Sequence, residues 1–208
     1  MPIIHHPIIG VLLAAGRSSR MQHFKPLIPW PPQQSSSSIA PHGTVLSASF
    51  NVIAPHVSSM FVVTGHRQFE IFRALAPHCF TAVFSPSDAP MITSIRAAIS
   101  ASLKLNPSHV FLHLADHPAV APATISQIIN GARDLPDRAI IPTFKNSGGH
   151  PILLPAALCN SILSPVADVG LRDFLHSKSD LMHRLPVDDP GILIDLDTPD
   201  DYLRARSS

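Results

Sequence analysis

Residues 12–25 read Leu-Leu-Ala-Ala-Gly-Arg-Ser-Ser-Arg-Met-Gln-His-Phe-Lys and follow the apolar run Ile8-Ile9-Gly10-Val11. A buried strand thus opens into a loop rich in small residues, and along Leu13, Ala14, Ala15, Gly16, Arg17 and Ser18 the backbone N–H groups can approach an anion closely. Arg17, Arg20 and Lys25 add positive charge. A nucleoside triphosphate needs that combination. The spacing contains no G-x-G-x-x-G and no G-x-x-x-x-G-K-[ST], so neither a dinucleotide-binding turn nor a P-loop is supported.

Two acidic segments could complete such a site. Leu112-His113-Leu114-Ala115-Asp116 ends an apolar strand with a carboxylate. In open α/β sheets the ligand crevice lies at the carboxyl ends of the strands, which puts Asp116 on the same edge as the basic loop. A carboxylate beside a triphosphate is repelled by several kcal/mol unless a cation stands between them. Mg²⁺ takes few protein carboxylates and fills its shell with phosphate oxygens and water. The second segment runs from Ile192 to Tyr202. Its start reads as a strand over Ile192–Asp195, and in a strand Asp195 and Asp197 would share a face. Thr198, Pro199, Asp200 and Asp201 suit a helix start, with Thr198 as cap. His109, His113 and His117 sit on or beside a strand-like run, where residues four apart stand roughly 13 Å from each other. They therefore read as separate core or edge histidines, with His117 alone able to touch a metal.

L-A-A-G-x-S-x-R-M followed by Lys25 resembles the opening signature of nucleotidyltransferases built on a Rossmann-like domain, and is most similar to the molybdopterin cytidylyltransferases of the molybdenum-cofactor branch. Leu112–Pro118 is like the family's G-D-x-P, and Ile194–Asp201 like its D-I-D-T-P-E-D. The resemblance implies that Asp116 and Asp197 hold Mg²⁺ against the phosphates, while Arg20 and Lys25 neutralise the β- and γ-phosphates. Pro90–Ile95 resembles G-M-x-x-S-[VI], which implies that Met91 and Ser94 face acceptor and nucleotide. Gly148–Pro151 resembles a G-H-P segment near the acceptor phosphate, bringing in Gly149 and His150. Asp168–Arg172 resembles D-x-G-x-R and adds Arg172 to the acceptor side. Taken alone, Met91 also suits a core, Gly148-Gly149 a hairpin turn, and Asp168 with Arg172 a surface ion pair. The motifs run in family order from Val11 to Tyr202. Gln22, Pro90 and Ala115 stand where the family has glycine.

These residues need a scaffold. Strand-like runs at Ile8–Ala14, Met60–Thr64, Thr81–Phe84, His109–Leu114, Ala139–Pro142 and Ile152–Leu154 alternate with amphipathic helices. Ile95, Ala98, Ile99 and Leu103 mark one helix, and Ile125, Ile128, Ile129 and Ala132 another. Several strands are apolar on both faces. The pattern predicts a doubly wound, Rossmann-like, mostly parallel sheet in a three-layer α/β/α sandwich. The 208 residues, 45% of them apolar, suit a single domain over 1–208. Residues 31–43, polar and rich in proline and serine, read as a mobile loop. A formal net charge of +1 gives no strong positive field for nucleic acid, and no stretch is long and apolar enough for a membrane span. Two distant cysteines, Cys79 and Cys159, suggest a reducing, cytoplasmic setting.

The function these features imply is Mg²⁺-dependent transfer of a nucleoside monophosphate from an NTP to a phosphorylated acceptor. The Ala14-Ala15-Gly16 turn favours CTP, because the Ala15 β-carbon would narrow the space for a base. Molybdopterin as acceptor, and a molybdoenzyme client, come from the resemblance. Two alternatives stay open: a nucleotidyltransferase for a sugar-, polyol- or choline-phosphate, and a non-catalytic nucleotide-binding accessory protein.

Overall fold

A computed structural model describes residues 7–17, 23–31, 43–164 and 170–205. Its strands are β1 (Ile8–Leu13), β2 (Pro29–Trp30), β3 (Gly43–Thr44), β4 (Ser59–Thr64), β5 (Thr81–Phe84), β6 (His109–Leu114), β7 (Ala139–Phe144), β8 (Ser147–Gly148), β9 (Ile152–Pro155) and β10 (Met182–Pro186). The helices are α1 (Val45–Ile53), α2 (Gln68–Ala74), α3 (Met91–Ser102), α4 (Pro122–Asp134), α5 (Ala156–Ile162), α6 (Leu171–Ser177) and α7 (Pro199–Ala205).

Eight strands form the main sheet in the order β10-β7-β9-β6-β1-β4-β5, with β8 paired to β7; β2 and β3 make a separate short pair. Pairing is parallel between β6, β1, β4 and β5 and between β10 and β7, whereas β9 runs antiparallel to both β6 and β7. The sheet is thus mostly parallel, as expected. Alternation along β1 builds both cores. Leu12 packs with Phe50, Ile71 and Ile128 from α1, α2 and α4. Val11 packs with Ile95, Leu158 and Phe174 from α3, α5 and α6. Each apolar face of the sheet is covered by helices, giving the three layers.

Two element assignments differ from the sequence reading. Ile192–Asp195 is not a strand: Pro190–Leu193 is a 3-10 turn. Pro190 suits the first position of such a turn and supplies no N–H to a ladder. Asp189 fixes it by accepting from Gly191 N at 2.8 Å, and the same carboxylate holds the start of α4 through Ala121 N at 2.9 Å and Thr124 Oγ1 at 2.6 Å. Gly148-Gly149 is not the hairpin turn either. Lys145 and Asn146, both with positive φ, turn the chain between β7 and β8. Two successive positive φ values match the twist of a two-residue hairpin.

Of the 31–43 loop, only Pro31 and Gly43 fall within the described residues. Among those residues, no helix is long and apolar enough to cross a membrane.

Candidate active site

The carboxyl ends of β1, β5 and β6 enclose a cleft of about 330 Å³. Leu13, Ala14, Ala15 and Gly16 line one wall. Ala14 N donates to Val63 O at 2.9 Å, so the chain keeps its register just past β1 before turning away. A β-carbon on Gly16 would meet no protein atom within 4 Å. The opposite wall comes from the β5–α3 connection through Pro86, Ser87, Ala89, Met91 and Ser94. Arg17 Nε donates to Ser87 Oγ at 2.9 Å and joins the two walls. Met91, in the first turn of α3, is 63% exposed and faces the cleft, not the core. Ala15 lines the cleft and also belongs to the apolar cluster under α3, where a β-carbon on Gly65 would lie 3.4 Å from its own.

The two carboxylates meet at the floor. Ala115 N donates to Leu13 O at 3.1 Å, and Ser49 Oγ of α1 donates to Ala115 O at 3.1 Å, which fixes the chain leaving β6. Leu196 N then donates to Asp116 O at 3.1 Å and delivers Asp197 to Asp116. Lys25, in the 3-10 turn Lys25–Leu27, stands between them: its Nζ is 3.1 Å from Asp116 Oδ2 and 2.5 Å from Asp197 Oδ1. Burial pulls the Lys25 pKa down, but the hydrogen bonds and charges of Asp197 and Asp116 outweigh it and raise it above its ordinary value. The cation expected between carboxylates and phosphates is here an ammonium group. Lys25 therefore pairs with the two carboxylates at the floor of the cleft. The donor set is all hard oxygen, which suits a divalent ion such as Mg²⁺. Among the described residues, no group of three or more His, Cys, Asp or Glu could hold a metal unaided. An ion on Asp116 and Asp197 would draw further oxygens from its ligand. Asp195 is exposed, and its charge reaches the buried His117 beside Asp116. Asp201 caps α7: Thr198 N and Oγ1 donate to its Oδ2 at 2.7 Å, and its own N–H returns to Thr198 Oγ1 at 3.2 Å.

The histidines are closer than strand spacing implies. β6 ends at Leu114 and the chain turns, so the rings of His113 and His117 are 6.2 Å apart, and those of His117 and His150 are 5.2 Å apart. His113 Nε2 bonds His117 O at 3.0 Å. Burial holds His113 well below its ordinary pKa and His117 below its own, and burial with the neighbouring His117 brings His150 to about 4. His109 stands apart, bonded to Pro136 O at 3.0 Å. Gly149 is a close approach: a β-carbon there would lie 2.3 Å from Ile192 O. His150 N donates to that same oxygen at 3.0 Å. Arg172 is exposed on α6 and lines no part of the cleft. Ser18, Arg20 and Asp168 lie outside the described residues. Ser49, Ser85 and Asp189 were missed in the sequence. Ser85 carried a usable signal, a small polar residue just past the carboxyl end of a strand.

A strand-end cleft with paired carboxylates on a mostly parallel sheet is the arrangement of a nucleotide-handling α/β protein. Residues 10–183 match the MobA-like NTP transferase domain, and the chain belongs to that family. It is thereby a nucleotidyltransferase. The molybdenum cofactor cytidylyltransferase of Escherichia coli (strain K12) is 28% identical over 198 residues, 94% of each chain. Rv0371c from Mycobacterium tuberculosis H37Rv superposes with a TM-score of 0.80 at 27% identity, over 98% of this chain and 99% of that one. A second structure of Rv0371c, a complex with manganese, gives a TM-score of 0.74 at 27% identity, over 97% and 99%.

Proposed function

We propose that the chain transfers CMP from CTP to a phosphorylated acceptor, molybdopterin, with a divalent ion, Mg²⁺, held on Asp116 and Asp197. The observation that carries this reading is the convergence of those two carboxylates on one cation at the floor of the strand-end cleft. CTP and molybdopterin draw support from the name of the Escherichia coli relative, and a divalent ion from the manganese complex of the mycobacterial protein. The free thiols of Cys79 and Cys159 suit a reducing cytoplasm.

An oxygen of the acceptor phosphate attacks the α-phosphorus, the bond from that phosphorus to the β-phosphate bridging oxygen breaks, and pyrophosphate leaves. No covalent enzyme intermediate is required, so the residues act by positioning and charge neutralisation. The bound metal would supply Lewis-acid stabilisation of the phosphate oxygens. The Ala15–Gly16 backbone offers N–H groups and Ser94 a hydroxyl to the nucleotide, while Met91, on the cleft, faces the acceptor. Lys25, set beside the two carboxylates, and Arg20 neutralise the β- and γ-phosphates. Gly149, His150 and Arg172 lie outside the cleft lining, and their place on the acceptor side rests on the family motifs alone. Pyrophosphate release, followed for each of four NTPs with and without Mg²⁺ and molybdopterin, tests the proposal. Release is expected with CTP only when both are present; release with a sugar phosphate replacing molybdopterin would redirect the acceptor assignment.

A further inference from the structure

The hydroxyls of Ser85 and Ser94 lie 2.8 Å apart and both residues are buried. Ser85 follows β5 directly and gives its N–H to Thr64 O at 2.9 Å. It is 1% exposed, and the one hydrogen-bonding neighbour of its hydroxyl among the described residues is Ser94 Oγ. A serine hydroxyl carries one proton and two lone pairs. Were Ser94 the donor, the Ser85 proton would be buried with no acceptor, which is costly. The buried Ser85 proton is accommodated when Ser85 donates to Ser94. The Ser94 proton is then left over, and Ser94 lines the cleft whereas Ser85 does not. The backbone around this pair has little room to shift: a β-carbon on neighbouring Gly65 would lie 2.4 Å from Ser85 O and 3.2 Å from Ala15 O.

We infer that Ser85 is a positioning residue that fixes the direction of the Ser94 hydroxyl, so that Ser94 presents its proton to an acceptor atom of the nucleotide in the cleft. The inference rests on the reading of the cleft as the nucleotide site. Loss of Ser85 leaves the Ser94 hydroxyl free to rotate and to present either a proton or lone pairs. The two residues must therefore act as one unit in nucleotide binding.

A double-mutant cycle tests this. Calorimetric titration with Mg²⁺ and the tightest-bound of CTP, UTP, GTP and ATP compares wild type, Ser85→Ala, Ser94→Ala and the double variant, with melting curves to establish folding. Ser85→Ala and Ser94→Ala are each expected to weaken binding about fivefold to tenfold, the range of one hydrogen bond. Ser85→Ala is expected to have no further effect once Ser94 is alanine. Ser85→Cys, a weaker donor of similar size, is expected to fall between wild type and Ser85→Ala. An equal loss from Ser85→Ala in both backgrounds would show that Ser85 acts on packing alone and would overturn the inference. So would unchanged affinity in Ser85→Ala. Wild type that binds none of the four nucleotides would overturn the nucleotide site itself, an outcome distinct from either.

Discussion

At the scale of single residues, the account turns on Lys25 between Asp116 and Asp197. Removing a carboxylate and removing the lysine should have opposite effects on metal binding. Asp116→Ala is expected to lower kcat more than a hundredfold with unchanged circular dichroism, since it removes half of the protein's hold on the ion. A loss within about tenfold, only ~1.4 kcal/mol, would contradict the metal assignment. Lys25→Met is expected to raise the KM for NTP and lower kcat. The same variant should bind Mn²⁺ more tightly than wild type in the absence of nucleotide, because the carboxylates lose a competing cation; calorimetric titration with Mn²⁺ alone checks this. The two aspartates were legible in the sequence, since each sits in a short motif at an element end. The Lys25 contact was not, because it joins positions 91 and 172 residues apart and needs the folded sheet to bring them together. The histidine spacing misled for a related reason: the strand geometry stopped at Leu114, three residues before His117.

At the scale of elements, the segment that delivers Asp197 depends on Asp189. Its carboxylate accepts from Gly191, Ala121 and Thr124 and so ties the 3-10 turn at Pro190–Leu193 to the start of α4. Asp189→Ala leaves these donors without their charged acceptor and is expected to destabilise the fold by about 2–4 kcal/mol. For a chain of this size that corresponds to a melting temperature lower by roughly 5–15 °C. A shift under about 2 °C would show the turn to be held by other contacts. Periodicity found β1, β4, β6, α3 and α4 because each has a strong apolar pattern facing a core, and β5 from its short apolar run although that edge strand is largely exposed. It missed β10, whose Met182-His-Arg-Leu-Pro is an edge strand with little buried surface. It also misread Ile192–Asp195, where a short apolar run packs in a 3-10 turn rather than a ladder. The reversed direction of β9 was not legible, because side-chain alternation is the same for parallel and antiparallel neighbours.

At the scale of the whole molecule, the buried histidines couple stability to pH. His113 is held well below the ordinary value of 6.5, and His150 is brought to about 4. The folded chain keeps both neutral in mildly acidic solution, whereas the unfolded chain protonates them as pH falls through 6.5. The unfolded chain therefore binds more protons in this window, and stability is lost as pH drops from 6.5 toward 4, by up to about 1.4 kcal/mol per pH unit for each histidine. The melting temperature is expected to fall between about pH 7 and pH 5, and His150→Gln should flatten that slope; parallel slopes in the two proteins would contradict the assignment. The layered architecture was the most legible feature of the chain, since an apolar sheet with helices on both faces follows directly from strands that are apolar on both sides. The activity was legible only to the level that loop, carboxylates and family order define, because close approaches such as Gly149 against Ile192 form between distant segments. The most direct test of the account follows the label of α-phosphate-labelled CTP with Mg²⁺ and molybdopterin. Label is expected in a CMP–molybdopterin product for wild type, and not for Asp116→Ala. Label that remains in CTP, or appears only as free CMP, would contradict nucleotidyl transfer to that acceptor.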